Sequence, residues 1–384
     1  MAERPSEQRD IAVLVGLDFG TGGYDEGIEE LRQLAASAGI RAHTLVRGRR
    51  DRPDPAHFAG SGKVEEIKRT LQEQGASLAI FNHDLSPAQE RNLEKALGCP
   101  IVDRTRLILN IFAQRAKSHE GKLQVELAQL EHAATRLVRG WTHLERQRGG
   151  KGFLGGMGET QLEVDRRLIA NRVKLLKDKL GKLGRRREVQ RRARERGRAF
   201  TVSLVGYTNA GKSTLFNTLT HAGALAADRL FATLDTTTRR LYLPEAGNVA
   251  ISDTVGFIRD LPHALVAAFR ATLEEAIHAD LLLHVVDAAS DSREAQIEQV
   301  DKVLTEIGAS AIPRVLVWNK IDCNGLQPGV DRDEYDKIQR VRLSAKTGDG
   351  VEGLRWALIE AAASRTSPAS PPKSTDPQRQ AAEA

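Results

Sequence analysis

Residues 206–213 read Gly-Tyr-Thr-Asn-Ala-Gly-Lys-Ser, GYTNAGKS. They follow an apolar run at Thr201–Val205 and open a segment, Lys212–Thr220, patterned as a helix. Strand, Gly-x4-Gly-Lys-Ser and helix together make the arrangement of a phosphate loop. Glycines let backbone N–H groups close around phosphate oxygens, and the helix N-terminus adds the positive end of its dipole. Gly206, Tyr207, Thr208, Asn209, Ala210, Gly211, Lys212 and Ser213 are therefore placed around a polyphosphate. Lys212 is expected on the β- and γ-phosphates, and the Ser213 hydroxyl on Mg²⁺. The bland alternative is a glycine turn at a strand end.

Working outward, the next segments decide between these. Asp253-Thr254-Val255-Gly256 ends a second apolar run about 40 residues on, where an acid orders Mg²⁺ and a glycine N–H senses a γ-phosphate. Asn319-Lys320-Ile321-Asp322 supplies base choice: a carboxylate at Asp322 accepts from N1–H and the exocyclic amine of guanine, donors that adenine lacks. Asn319 is expected to tie that loop to the phosphate loop, with the Lys320 stem over the base. Ser344-Ala345-Lys346 offers a backbone N–H for guanine O6. Between the first two segments lies FATLDTTT, and Phe231, Ala232, Thr233, Leu234 and Asp235 are placed as the first switch. Thr233, ahead of Thr236–Thr238, is the expected second hydroxyl on Mg²⁺. Five segments in this order point to GTP binding and hydrolysis with GTP or GDP as the bound nucleotide.

Phe257 departs from the Ras-like pattern, in which a water-orienting glutamine follows DxxG. An aromatic ring cannot polarise water, so no catalytic side chain is assigned, and intrinsic hydrolysis is expected to be slow and stimulated by a partner. Asn209 is a candidate K⁺ ligand standing in for an arginine finger; its alternative is a turn cap.

The fold class follows from alternation. Strands at Phe200–Val205, Arg240–Leu243, Val249–Asp253, Leu281–Asp287, Arg314–Asn319 and Arg340–Leu343, with helices between most of them, predict a Ras-like α/β G domain over 199–363. Its sheet should be mostly parallel with helices on both faces. A second, smaller α/β unit is expected over 10–105, with strands at 11–17, His43–Arg47 and Leu78–Asn82 and helices at Glu26–Ala38 and Lys63–Gln74. Between the units, Leu123, Leu127, Leu130, Ala134, Leu137, Trp141 and Leu144 step 4-3-4-3-4-3, and Ile169, Val173, Leu176, Leu180 and Leu183 repeat the step. These seams predict an antiparallel helical hairpin over 106–198. Its tip, GGKGFLGGMG at 149–158, has six glycines in ten residues, flanked by Arg146 and Arg148. Arg185–Arg198 carries eight arginines at the expected end of the second helix and connection onward; it reads as a run able to neutralise RNA phosphates or as a solvated helix face. Residues 1–9 and the tail 364–384, with four prolines, are expected to be disordered.

Composition sets the limits. In 384 residues, 57 basic and 51 acidic side chains give +6, mildly basic and no proof of nucleic-acid binding. Two cysteines, Cys99 and Cys323, fit a reducing compartment without a disulfide framework. The N-terminus lacks an apolar signal core, and no apolar run approaches the ~20 residues of a membrane span. A cytoplasmic location, no stable membrane insertion and a monomer when free are expected.

GETQLEVDRRL at Gly158–Leu168 and GSGKVEEI at Gly60–Ile67, joined to FATLD and DTVGF, resemble the HflX family of translational GTPases over roughly residues 10–363. Relatives read closer to GGxGxxGPGETQLExDRR, and Phe153–Met157 departs from that loop. The resemblance implies a partner, the large (50S) ribosomal subunit and its rRNA rather than DNA, and a role in splitting or rescuing ribosomes or in ribosome biogenesis. The competing readings are an RNA-remodelling or ribosome-assembly factor and a regulatory GTPase that docks on a protein complex. GSGK at Gly60–Lys63 reads either as a turn with Ser61 capping a helix or as a second, ATP-type site.

Overall fold

The computed structural model of the chain describes residues 11–20, 22–139, 161–196, 199–220, 230–259 and 270–366. The glycine-rich tip, Trp141, Leu144, the end of the arginine run and the two expected disordered termini lie outside these, apart from 364–366, which close the last helix.

The first sheet contains β1 (Ile11–Asp18), β2 (Arg41–Arg49), β3 (Leu78–Phe81) and β4 (Ile101–Val102), ordered β2-β1-β3-β4 and parallel throughout. β1 is buried on both faces, which explains its unbroken apolar run. Helices α1 (Tyr24–Ser37) and α4 (Arg104–Arg115) pack on one face. On the other lie α2 (Ser61–Gln74) and α3 (Pro87–Leu97). Local chemistry sets the helix starts. Ser86 and Gln89 form a reciprocal capping box with Pro87 in the first turn, and the Asp103 side chain caps α4. Ser61 does not cap α2: Gly60 holds the N-cap position and Ser61 is already helical, with no side-chain cap. Lys63 Nζ is bonded to the Arg47 carbonyl at 2.6 Å and to Glu66 at 2.7 Å.

The second sheet contains β5 (Phe200–Gly206), β6 (Thr237–Leu243), β7 (Gly247–Asp253), β8 (Leu281–Asp287), β9 (Arg314–Asn319), β10 (Gly329–Arg332) and β11 (Ile338–Arg342), ordered β10-β11-β9-β8-β5-β7-β6. Its five inner strands run parallel, while the edge strands β6 and β10 pair antiparallel to their neighbours. β10 was not expected from sequence. It is a four-residue edge strand with polar alternation, so it carries no apolar signal. Here α7 (Lys212–Thr220) and α10 (Val351–Thr366) cover one face, and α8 (Arg270–Ile277) and α9 (Arg293–Glu306) the other.

Helices α5 (His119–Arg139) and α6 (Gln161–Arg196) pack through Leu123, Leu127 and Leu130 against Val173, Leu176, Leu180 and Leu183, seven of the residues of the two expected seams. Ion pairs Glu120–Arg187 and Glu131–Lys177 climb one helix while descending the other, so the pair is antiparallel. Arg187, inside the arginine run, is therefore committed within the fold. No helix among the described residues is long and apolar enough to cross a membrane.

The two sheets share a core. One continuous apolar cluster joins Leu14, Leu31, Leu34, Ile108 and Phe112 of the first unit to Val205, Phe231, Leu234, Phe257, Leu273 and Val300 of the second. Phe112 and Phe231 meet edge to face at 4.6 Å between ring centroids.

Candidate functional site

The phosphate-loop segment turns from β5 into α7 where the parallel strands end, the place where open α/β sheets bind ligands. Gly211 has φ +93°, and a Cβ there would strike the Asn319 side chain, so only glycine serves. Lys212 is buried, and its ammonium donates to the carbonyls of Gly206 at 3.0 Å and Tyr207 at 2.7 Å. Burial pulls its pKa down to about 8, against the opposing attraction of Asp253.

Three oxygen-bearing side chains converge beside Lys212. Ser213 Oγ lies 2.7 Å from Thr233 Oγ1 and donates to Asp253 Oδ2 at 2.6 Å, while Thr233 Oγ1 donates to the same carboxylate oxygen at 2.9 Å. Asp253 is 1% exposed, and its Oδ1 has no hydrogen-bond partner among the described residues. Desolvation raises its pKa, opposed by Ser213, Lys212 and Thr233. Two hydroxyls and a carboxylate with an orphaned oxygen form a hard, all-oxygen set that fits Mg²⁺.

At the base end, Asn319 bridges two loops: its Nδ2 donates to the Ala210 carbonyl at 2.8 Å and its Oδ1 accepts from the Ala345 amide at 2.8 Å. The first link matches the expectation for Asn319. The second, and the Thr218 hydroxyl bond to the Ala345 carbonyl at 2.8 Å, went unseen in the sequence. Lys320 sits in the left-handed region at φ +66°, with its ammonium on Asp287 at 2.8 Å. The Asp322 carboxylate is exposed, and a hydrogen bond from Ser344 is the main cause holding it below the usual range. An ionised, outward-facing carboxylate suits a guanine edge.

The end expected to meet the γ-phosphate is built differently. Phe231, Ala232 and Thr233 line the phosphate cavity with Thr208, Asn209, Gly211, Lys212, Ser213, Thr254 and Gly256. Leu234 and Asp235, expected on the nucleotide, face elsewhere. Leu234 is in the shared core, and the Asp235 carboxylate accepts from the amides of Lys117 at 3.0 Å and Ser118 at 2.8 Å. An aspartate at this junction thus ties the first switch to the start of α5. Val255 and Ile321 likewise turn their side chains into the interior, leaving their backbones for any ligand. Phe257 is fully buried, with its backbone bridged to Gly206 at 3.1 Å and to Thr208 at 2.7 Å. Its ring is a core anchor. Asn209, at φ +60°, is exposed, and its side chain caps no turn among the described residues.

Two charged residues of the first unit reach this end, and nothing in their local sequence marks them. Glu30 of α1 and Arg104 of α4 form a buried pair, and Glu30 also accepts from the Tyr207 hydroxyl. Burial first, and the Glu30 charge second, push the Tyr207 phenol well above its ordinary range.

Three family models match the chain: the "GTP-binding GTPase N-terminal" model over residues 25–113, the "GTP-binding GTPase Middle Region" model over 115–194 and the "50S ribosome-binding GTPase" model over 201–320. A GTPase HflX of Escherichia coli (strain K12) is 55% identical over 350 residues, 91% of this chain and 82% of that protein. A GTPase HflX of Magnetococcus marinus is 52% identical, covering 87% of this chain and 77% of its own. Among solved structures, a GTP-binding protein from the archaeon Sulfolobus solfataricus in complex with GDP aligns over 93% of this chain and 100% of its own, at 24% identity and TM-score 0.47.

Proposed function

This chain belongs to the HflX family of GTPases, which bind and hydrolyse GTP, and on that premise we propose that it is a GTP-driven switch acting on the large ribosomal subunit. The convergence of Ser213, Thr233 and Asp253 beside Lys212 carries the assignment of the site. Ser213 and Thr233 hold Mg²⁺, with Asp253 ordering it. The ion, when bound, neutralises charge that develops on the phosphates. Lys212 leaves its two carbonyl partners for the β- and γ-phosphates. Asp322 reads the guanine edge, Asn319 keeps base and phosphate loops in register, and the Ala345–Lys346 backbone faces O6.

Phe257 offers no group to orient water, so hydrolysis needs help from outside. A K⁺ ion held by Asn209 is one source, and the ribosome is the other. The helical hairpin supports the ribosomal partner: two antiparallel helices carry the basic, glycine-rich segment 149–158 on the connection between them. Close approach to an RNA backbone needs small residues and positive charge there.

Co-sedimentation tests this. With a non-hydrolysable GTP analogue the protein should pellet with the large subunit and split 70S particles, and with GDP it should not. Pelleting with free RNA regardless of nucleotide would favour an RNA-remodelling factor. Absence of co-sedimentation in both nucleotides would remove the ribosomal reading.

A further inference from the structure

The segment from Asp253 to Arg259, the second switch of the proposed site, is held by polar contacts from the first α/β unit at Arg259. Arg259, three positions after Gly256, donates its backbone N–H to the Tyr207 hydroxyl at 2.7 Å. Its backbone carbonyl accepts from Arg104 at 3.0 Å, and its guanidinium reaches the Gly23 carbonyl. Tyr207 in turn donates to Glu30, which is paired with Arg104, and Arg104 also bonds Asn82 at 2.9 Å. Glu30 and Arg104 are 7% and 6% exposed, so water does not compete for these bonds.

This grip bears on the γ-phosphate. Gly256 stands so close over the phosphate loop that a Cβ would lie 2.8 Å from Thr208 Cα and 3.0 Å from Lys212 Nζ. No phosphate group fits between Lys212 Nζ and Gly256 as they stand. Seating a γ-phosphate between Lys212 and Gly256 therefore requires the Phe257 bridge to Gly206 and Thr208 to part. Arg259, two residues further on, moves with it.

We propose that Glu30 and Arg104 are positioning residues for GTP: through Tyr207 and Arg259 they latch the second switch over the phosphate loop, and the γ-phosphate must open that latch where GDP need not. The nucleotide state then passes to α1 and α4 of the first unit by the same contacts. The inference rests on assigning Gly206–Ser213 and Gly256 to the phosphates of GTP.

The test uses the full chain and fluorescence titration with GDP and with a non-hydrolysable GTP analogue. Tyr207→Phe removes the hydroxyl yet leaves the buried Glu30–Arg104 pair whole. It should raise the analogue-to-GDP affinity ratio about tenfold, the size of one lost hydrogen bond to a charged group. Arg259→Ala, which removes the guanidinium contact to Gly23 but spares both Tyr207 and the buried pair, should move the ratio the same way by several-fold. In the wild type, the analogue but not GDP should speed amide exchange in α1. If wild type binds both nucleotides and the ratio stays level or falls in the variants, the latch is wrong. If wild type binds neither, the phosphate assignment itself fails.

Discussion

The two ends of the nucleotide site are assembled from different parts of the chain. Among the described residues, the proposed guanine end is closed within the second α/β unit: Asn319 on Ala210 and Ala345, Lys320 on Asp287, Asp322 beside Ser344. The proposed γ-phosphate end is shared. Phe231 packs on Phe112, Asp235 is held by Lys117 and Ser118, and Tyr207 and Arg259 are held by Glu30, Arg104 and Gly23. Base identity is the same in GTP and GDP, so its recognition needs no communication. The γ-phosphate is the part that changes, and the residues around it are those tied to the rest of the molecule. A switch has differential contacts where its two ligands differ.

The largest effect should come from breaking the guanine end alone. Asp322→Asn replaces the acceptor of two charge-assisted bonds, each worth roughly 2 kcal/mol, so GTP and GDP affinities should both fall about 10³-fold. The thermal midpoint should not change, because the side chain is exposed. Calorimetric titration and melting together check this; unequal losses for the two nucleotides would blur the division between the ends.

The phosphate end should respond to pH. Free Lys212 titrates at about 8, below its unfolded value, and a bound phosphate favours the charged form. Nucleotide binding therefore takes up a proton above pH 8. GDP affinity should be level below pH 8 and decline above it by up to about tenfold per pH unit. Titrations between pH 7 and 9.5 measure this, and a flat profile would show that Lys212 is not desolvated. The smallest effect concerns Asn209. Turnover should be several-fold faster in K⁺ than in Na⁺, and Asn209→Ala should erase the difference; equal rates in the two salts would leave stimulation to the partner alone.

The parts of the site legible in the sequence are those whose chemistry sits in one continuous segment. A phosphate loop needs its glycines, lysine and serine at fixed spacing, so Gly206–Ser213 is readable wherever it folds. Thr233 was readable from its place between two such segments, and its hydroxyl does meet Ser213 and Asp253. Leu234 and Asp235 were read with the nucleotide because they adjoin Thr233, yet the chain turns there and spends them on the other unit. Glu30 and Arg104 carried no signal. They are ordinary surface-type residues in helices, and their partners lie 177 and 155 positions away in sequence. Phe257 showed by its identity that a glutamine was missing, but its work as a buried anchor of the second switch belongs to the tertiary packing.

Sequence by itself determined the reaction, the base and the order of two α/β units joined by a helical hairpin along the chain. Each of these depends on local backbone requirements or on short apolar periods. Tertiary structure decided how the site is governed. It brought a glutamate and an arginine from the first unit onto the phosphate loop and the second switch, and buried them there. Such a contact is chosen by shape and desolvation between distant segments, for which one-dimensional spacing has no counterpart.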